Sequence, residues 1–268
     1  MKPTAFARRI RAHALRMVHG ARASHIGSAL SIADIVALLY APEGGWLKVR
    51  AEDPGWPERD RFLLSKGHAC VVVYAALAER GFFPVDELGT YGQDFARLMN
   101  HISHKVPGVE FSTGSLGHAL PFGVGKALAA QTQGNSWRTV VLTSDGEWDE
   151  GSNWEALMFA AHHRLGSLSV IVDANGLQSL TTVDQTLRLE PLADKFKAFG
   201  AAVAEIDGHD PQALREALNR PHPHQPLVVI ARTTKGKGVS FMEDSVAWHY
   251  RSPNDAQLTE ALGEVGDA

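Results

Sequence analysis

Four short runs along the chain are mostly apolar at consecutive positions and rich in β-branched residues: RTVVLT (138–143), LSVIVDA (168–174), AAVAEI (201–206) and PLVVIA (226–231). Runs of this length without alternation predict strands buried on both faces, as in a parallel sheet. Elsewhere apolar residues recur every three or four positions. That spacing predicts helices near 4–19, 31–40, 68–80, 116–132, 153–164, 190–199 and 210–219, and a short one near 255–264. Two helix starts carry end signals. Ser152 and Glu155 have the S-x-x-E spacing of a capping box, which makes Ser152 the expected N-cap. Asp210 followed by Pro211 reads as an N-cap with proline in the first turn. Strands alternating with helices give an α/β fold, a mostly parallel sheet covered by helices on both faces. Such sheets bind ligands at the carboxyl ends of their strands. SDGEWDEGSNWEA (144–156) and DANG (173–176) both fall there.

Composition narrows the classes. A chain of 268 residues with 44% hydrophobic content can bury a full core in one large domain or two small ones. The Gly/Pro-rich stretch 44–60 belongs inside the fold and is no linker. A net charge of -4 leaves no footprint for general attraction to nucleic acid or membrane. The single cysteine, Cys70, allows no internal disulfide, so a reducing cytoplasm is expected. The longest uncharged apolar run, ACVVVYAALA (69–78), is far below the ~20 residues of a membrane span. Arg8, Arg9, Arg11, Arg16 and Arg22 precede the first acidic residue, Asp34, as in a transit peptide. Phe6, Ile10, Leu15 and Val18 nevertheless give this segment an apolar side, and HIGSALS follows with no room for a cleavage linker. An ordinary helix is the preferred reading.

The candidate chemistry lies at the strand ends. Asp145 and Asn175 are thirty residues apart, each closing an apolar run, with one helix between them. One βαβ unit would therefore set a carboxylate and an amide side by side. With a backbone carbonyl just past Asn175 they would suit magnesium, which takes hard oxygen ligands and leaves room for phosphates and water. A pair of loop caps is the plain alternative, and spacing alone does not separate the two. Gly146 would let a backbone N–H approach a diphosphate. GVGKAL (123–128) is not a phosphate loop, since position 120 is leucine and Ala127 follows Lys126. No G-x-G-x-x-G follows a strand. Glu147, Asp149 and Glu150 cannot all be ligands, because crowded carboxylates repel. Glu147 and Asp149 are expected in solvent, and Glu150 at a partner or buttressing the site. Cys70, in an apolar helix, reads as inert packing, and Trp148 and Trp154 as core or interface. Of the thirteen histidines, His13, His19, His162, His163, His209, His222 and His224 read as surface or core; His104 and His118 stay open.

SDGEWDEG followed by VDANGLQ resembles the thiamine-diphosphate signature, G-D-G and then N about thirty residues on. The resemblance is to transketolases, in five ordered segments: SHIGSALS (24–31), SKGHAC (65–70), HISHKVPGVEFSTGSLGHAL (101–120), the signature itself, and TTKGKG…WH (233–249). It implies that residues 1–268 form one thiamine-diphosphate-binding domain. By the resemblance Asp145 and Asn175 would hold Mg2+ through their side chains and Leu177 through its carbonyl. Ser28, His68, Gly114, Ser115, Leu116, Gly146, Lys235 and His249 would contact the cofactor, with Leu116 wedging it into a bent form. His25, His101 and His249 would face the ketose and move protons near neutral pH, where histidine titrates. The family passes a two-carbon ketol unit from a ketose, often a sugar phosphate, to an aldose through a thiamine-diphosphate adduct.

The family's chains are usually more than twice this long. The pyrimidine domain, with the glutamate that activates the cofactor, and the C-terminal domain are therefore expected on a partner chain, as an α2β2 assembly. Ser144 replaces the first glycine of G-D-G, and Ile26 a common proline. His118 replaces a common glutamine, and Tyr250 and Arg251 follow His249 where glycine is common. These departures bear on substrate identity more than on the cofactor. A deoxyxylulose-phosphate synthase-like or 2-oxo acid decarboxylating subunit is the first alternative. A non-catalytic regulatory pseudo-subunit is the second.

Overall fold

The computed structural model describes residues 1–266. Five strands, β1 (Arg61–Leu64), β2 (Thr139–Ser144), β3 (Leu168–Ala174), β4 (Ala202–Asp207) and β5 (Leu227–Arg232), form one wholly parallel sheet in the order β1-β2-β3-β5-β4. The helices are α1 (Pro3–Ala21), α2 (Ile26–Ser31), α3 (Ala33–Tyr40), α4 (Cys70–Glu79), α5 (Ala119–Gln133), α6 (Gly151–His162), α7 (Val183–Thr186), α8 (Leu192–Ala198), α9 (Pro211–Leu218) and α10 (Asp255–Val265). The pleat divides each strand between two apolar layers. Val140, Leu142, Ile171, Val229 and Ala231 face a large core with α1, α3 and α4. Val141, Val170, Val172, Val228 and Ile230 face a smaller one with α5, α6 and α8. This is the α/β architecture expected from the apolar runs.

Local sequence accounts for most of the elements. Phe6, Ile10, Leu15 and Val18 are all fully buried, so the basic N-terminal segment is a core helix. Its Arg11 is buried as well, forked onto Asp34 at 2.6 and 3.0 Å. Asp210 caps α9, accepting from the amides of Gln212 (2.8 Å) and Ala213 (3.2 Å).

Four expectations need correction. β1 follows the Pro/Gly-rich loop and has only four residues, too few for periodicity to register. The helix expected at 31–40 starts earlier and is broken at Ile32 into α2 and α3. β4 is an edge strand with Glu205 and Asp207 exposed, not buried on both faces. Ser152 lies inside α6, which starts one residue before it with Glu150 at the N-cap position. Its hydroxyl donates instead to the Gly117 carbonyl at 2.7 Å. Among the described residues no helix is long and apolar enough to cross a membrane.

Candidate active site

β2 and β3 are neighbours, with Ser144 opposite Asp173, so the loops leaving their carboxyl ends start side by side. Asp145 opens one loop and Asn175 the other. Asp145 binds both: Oδ1 accepts from the Gly146 amide at 2.8 Å and Oδ2 from the Gly176 amide at 2.6 Å. Asn175 donates to Asp173 Oδ2 at 2.8 Å, and its Oδ1 accepts from the Leu177 amide at 3.1 Å. Burial pushes the Asp145 carboxyl up to about 6, and the charge of Asp173 adds to the rise.

Above this pair opens a cavity of about 260 Å3, just below the usual range for small-molecule and cofactor sites. Its lining includes Asp145, Gly146, Asn175 and Leu177, Ser28 and His25 of the SHIGSALS segment, His68, His101, Gly114, Leu116, Lys235 and His249. Of the metal, cofactor and sugar residues that the resemblance implies, Ser115 alone is not in that lining; it is exposed between Gly114 and Leu116. His104 and His118 are exposed and also lie outside it.

Four imidazoles gather on one wall. The ring of His25 lies 5.0 Å from those of His68 and His249 and 5.8 Å from that of His101. His25 holds a left-handed backbone, φ 73°, which non-glycine residues seldom adopt. Its amide is fixed by a 2.7 Å bond to the His249 carbonyl. Such outliers persist where the surroundings over-determine them. Burial lowers all four rings. His25 falls to about 4, with the charges of His101, Lys235 and Lys66 adding; His249 falls to about 3, with Lys235 next in effect. His68 lies well below its ordinary value, and His101 is lowered. For His25, His68 and His249 these effects move titration below the neutral range expected from the sequence. Low dielectric and neighbouring ammonium groups keep the rings neutral at pH 7.

Lys235 is almost fully buried and reaches the carbonyls of Gln178 (2.9 Å) and Leu177 (3.2 Å) and Nδ1 of His249 (3.1 Å). An ammonium only donates, so Nδ1 of His249 accepts and the ring proton sits on Nε2. Burial, with Lys66 nearby, lowers Lys235 to about 8.

Sequence reasoning missed the layer beneath. Lys66 and Asp173 are an ion pair at 1% and 0% side-chain exposure. Asp173 also accepts from Ser31 (2.8 Å), Asn175 and Thr233, while Lys66 donates to the Ser28 carbonyl at 3.0 Å. The available signal was a charged residue set within an apolar run, in LSVIVDA and beside GHAC. Glu147, expected in solvent, is completely buried. It accepts from the Ser65 hydroxyl and from the amides of Gly117 (2.8 Å) and Ser144 (3.3 Å). Asp149 is half-buried and accepts from Gln178 at 2.9 Å. Glu150 is exposed. Cys70 is fully buried, and burial raises its thiol to about 12. Trp148 and Trp154 pack on Phe196 in the smaller core.

A family model described as the thiamine diphosphate binding domain of transketolase matches residues 3–264. The chain belongs to the transketolase family. Among its relatives is an apulose-4-phosphate transketolase subunit of Actinobacillus succinogenes, 42% identical over 248 residues, 91% of this chain and 88% of that one. A 6-deoxy-6-sulfo-D-fructose transketolase subunit of a Clostridium species is 38% identical, covering 90% and 88%. The crystal structure of transketolase from Campylobacter jejuni superposes with a TM-score of 0.90 at 28% identity over 98% of this chain. The chain spans only 42% of that transketolase. Membership brings thiamine diphosphate and a divalent metal as cofactors, and the residues fit them. A buried carboxylate, an amide oxygen and a carbonyl are a hard-oxygen donor set. A dication there would offset the cost that burial places on the Asp145 charge. At Gly146 any Cβ would meet the Gln178 side chain at 2.8 Å, so a larger residue would crowd the floor.

Proposed function

We propose that this chain is the diphosphate-binding subunit of a split transketolase. With a partner bearing the pyrimidine domain, it transfers a two-carbon ketol unit from a ketose donor to an aldose acceptor. The observation that carries this reading is the convergence on one cavity of Asp145, Asn175 and Leu177, from adjacent strand ends, and of four imidazoles.

Asp145 and Asn175 hold the metal by side chain and Leu177 by its carbonyl. Gly146, with no side chain in the way, and Lys235 would lie against the diphosphate. Gly114, Ser115 and Leu116 would border the cofactor, and Ser28 and His68 would contact it. Bound thiamine diphosphate supplies the electron sink for breaking and making the carbon–carbon bond. His25 and His101 meet the sugar as neutral imidazoles, able to donate from one ring nitrogen and accept a hydroxyl proton at the other, and His249 meets it through one nitrogen. The Lys235 contact leaves His249 to donate from Nε2.

The partner supplies the activating carboxylate and completes an α2β2 assembly. Two relatives of similar length are named for sugars bearing a phosphate or a sulfonate, which favours an anionic ketose as donor. The test is affinity purification from the native host, followed by reconstitution with the co-purifying chain. An equimolar partner with thiamine diphosphate and magnesium, and ketose cleavage only by the pair, is the expected result. Full turnover by this chain, free of any other protein, would sink the proposal.

A further inference from the structure

The loop that carries Gly114, Ser115 and Leu116 over the cavity is fastened at its two ends. At one end the Thr113 hydroxyl donates to the Leu64 carbonyl at 2.8 Å. At the other, both backbone polar groups of Gly117 are taken by side chains of a single segment. Its amide donates to Glu147 Oε1 at 2.8 Å, and its carbonyl accepts from the Ser152 hydroxyl at 2.7 Å. Gly117 has φ +78°, and a Cβ there would lie 2.6 Å from the Ser152 hydroxyl and 2.8 Å from Glu150 Cβ. Only glycine allows this approach.

The segment that does the holding is itself rigid. Glu147 Oε1 also receives the Ser65 hydroxyl at the end of β1, and Oε2 the Ser144 amide at the end of β2. The carbonyls of Glu147 and Trp148 are taken by Asn153 Nδ2 and Trp154 Nε1, each at 2.8 Å. Glu147 and Asn153 are both at 0% exposure.

We infer that Glu147 and Ser152 are positioning residues, a two-point clamp on Gly117 that fixes the height of the 114–116 loop above the metal-binding strand ends. Glu147 ties that loop to β1 and β2, so one carboxylate sets the distance between the cavity's lip and its floor. The inference rests on the reading of the cavity as the thiamine-diphosphate site. For the clamp itself, reach is decisive. The Oε1 oxygen must extend to Gly117; the charge is secondary. Glu147→Gln keeps the reach and loses the charge, while Glu147→Asp keeps the charge and loses the reach.

The test uses the full chain in four variants, Glu147→Gln, Glu147→Asp, Glu147→Ala and Ser152→Ala. Amide exchange at Gly117 is followed by NMR. Thiamine diphosphate with Mg2+ is titrated calorimetrically, with and without the partner. Losing a buried hydrogen bond should raise Gly117 exchange roughly tenfold or more in the Asp and Ala variants and leave the Gln variant within about threefold of the parent. Cofactor affinity should fall in the same order, with Ser152→Ala between. Amides of α9, in the other core, should not change. Should Glu147→Ala fail to fold, the Gln–Asp comparison decides. Equal protection of Gly117 in the Asp variant and the parent overturns the clamp, as does a Gln variant no better than Asp, or a loss of protection shared equally by α9. A parent chain that binds no thiamine diphosphate in either setting, while exchange keeps the stated order, overturns the cofactor reading and upholds the clamp.

Discussion

Asp145 is held by two loop amides rather than by a cation of the protein, and its carboxyl stays buried at the junction of two strand ends. Its removal should therefore spare the fold and strike the metal. Asp145→Ala is expected to weaken Mg2+-dependent thiamine diphosphate binding by more than the roughly 10–100-fold that loss of an outer-shell partner costs, with the circular dichroism spectrum unchanged. Asp34 behaves in the opposite way. Burial alone would raise its carboxyl, but hydrogen bonds from His209 and the Arg11 fork outweigh that and hold it down at about 2. A depressed pKa gives stability that is complete above the unfolded value near 4 and is lost as pH falls toward 2. By linkage it is worth on the order of 2 kcal/mol. Melting temperatures of the parent and Asp34→Asn should converge over that window; parallel curves down to pH 2 would refute the assignment. At this scale the sequence was legible where a motif named the residue, as for Asp145, Asn175 and the four cavity histidines. It was illegible where only burial distinguishes a structural carboxylate from a solvated one. Glu147 and Glu150 stand three positions apart in the same acidic run, yet one is sealed in and the other exposed.

At the scale of the element, apolar runs located every long strand, because a strand buried on both faces needs hydrophobic side chains at successive positions. β1 escaped because four residues, RFLL, carry no period of their own; its partner β2 defines it. Helix starts divided according to what competed for the capping side chain. Asp210 has nothing else to bind and caps α9, so Asp210→Ala should lower stability by about 1 kcal/mol in urea unfolding. Ser152 has the right spacing but a stronger claim on it, the Gly117 carbonyl. A capping box read from spacing alone cannot see a loop that arrives from 35 residues earlier. The break between α2 and α3 at Ile32 is of the same kind. Ser28 of α2 lines the cavity, and Ser31 lies buried beneath it against Asp173.

For the molecule as a whole, the loops that build the cavity also leave apolar side chains bare. Met99 stands two residues before His101, Leu180 follows Ser179, and Tyr250 follows His249; they are 52%, 79% and 58% exposed. Phe95, in the same loop as Met99, is wholly exposed. A partner seated over the cavity would cover this rim. Phe95→Ser and Leu180→Ser are expected to weaken association with the partner in sedimentation or titration experiments. The isolated chain's stability should stay within about 0.5 kcal/mol of the parent, as for other surface changes. Unaltered association in the double variant would place the partner elsewhere.

The strand order has a consequence for how the chain is made. β5 lies between β3 and β4, and it is the last of the five strands in sequence. A ribosome therefore releases β3 with one side unpaired and then β4 with no neighbouring strand at all. β3 lacks its second neighbour, and β4 any partner, until Leu227 follows, 53 positions after Ala174. At about 5–20 residues per second that interval lasts roughly 3–10 s. Throughout it an apolar strand displays the open edge that invites wrong pairing. The newborn protein thus passes through its most vulnerable moment just before β5 slots in between β3 and β4, and chaperone contact should concentrate there.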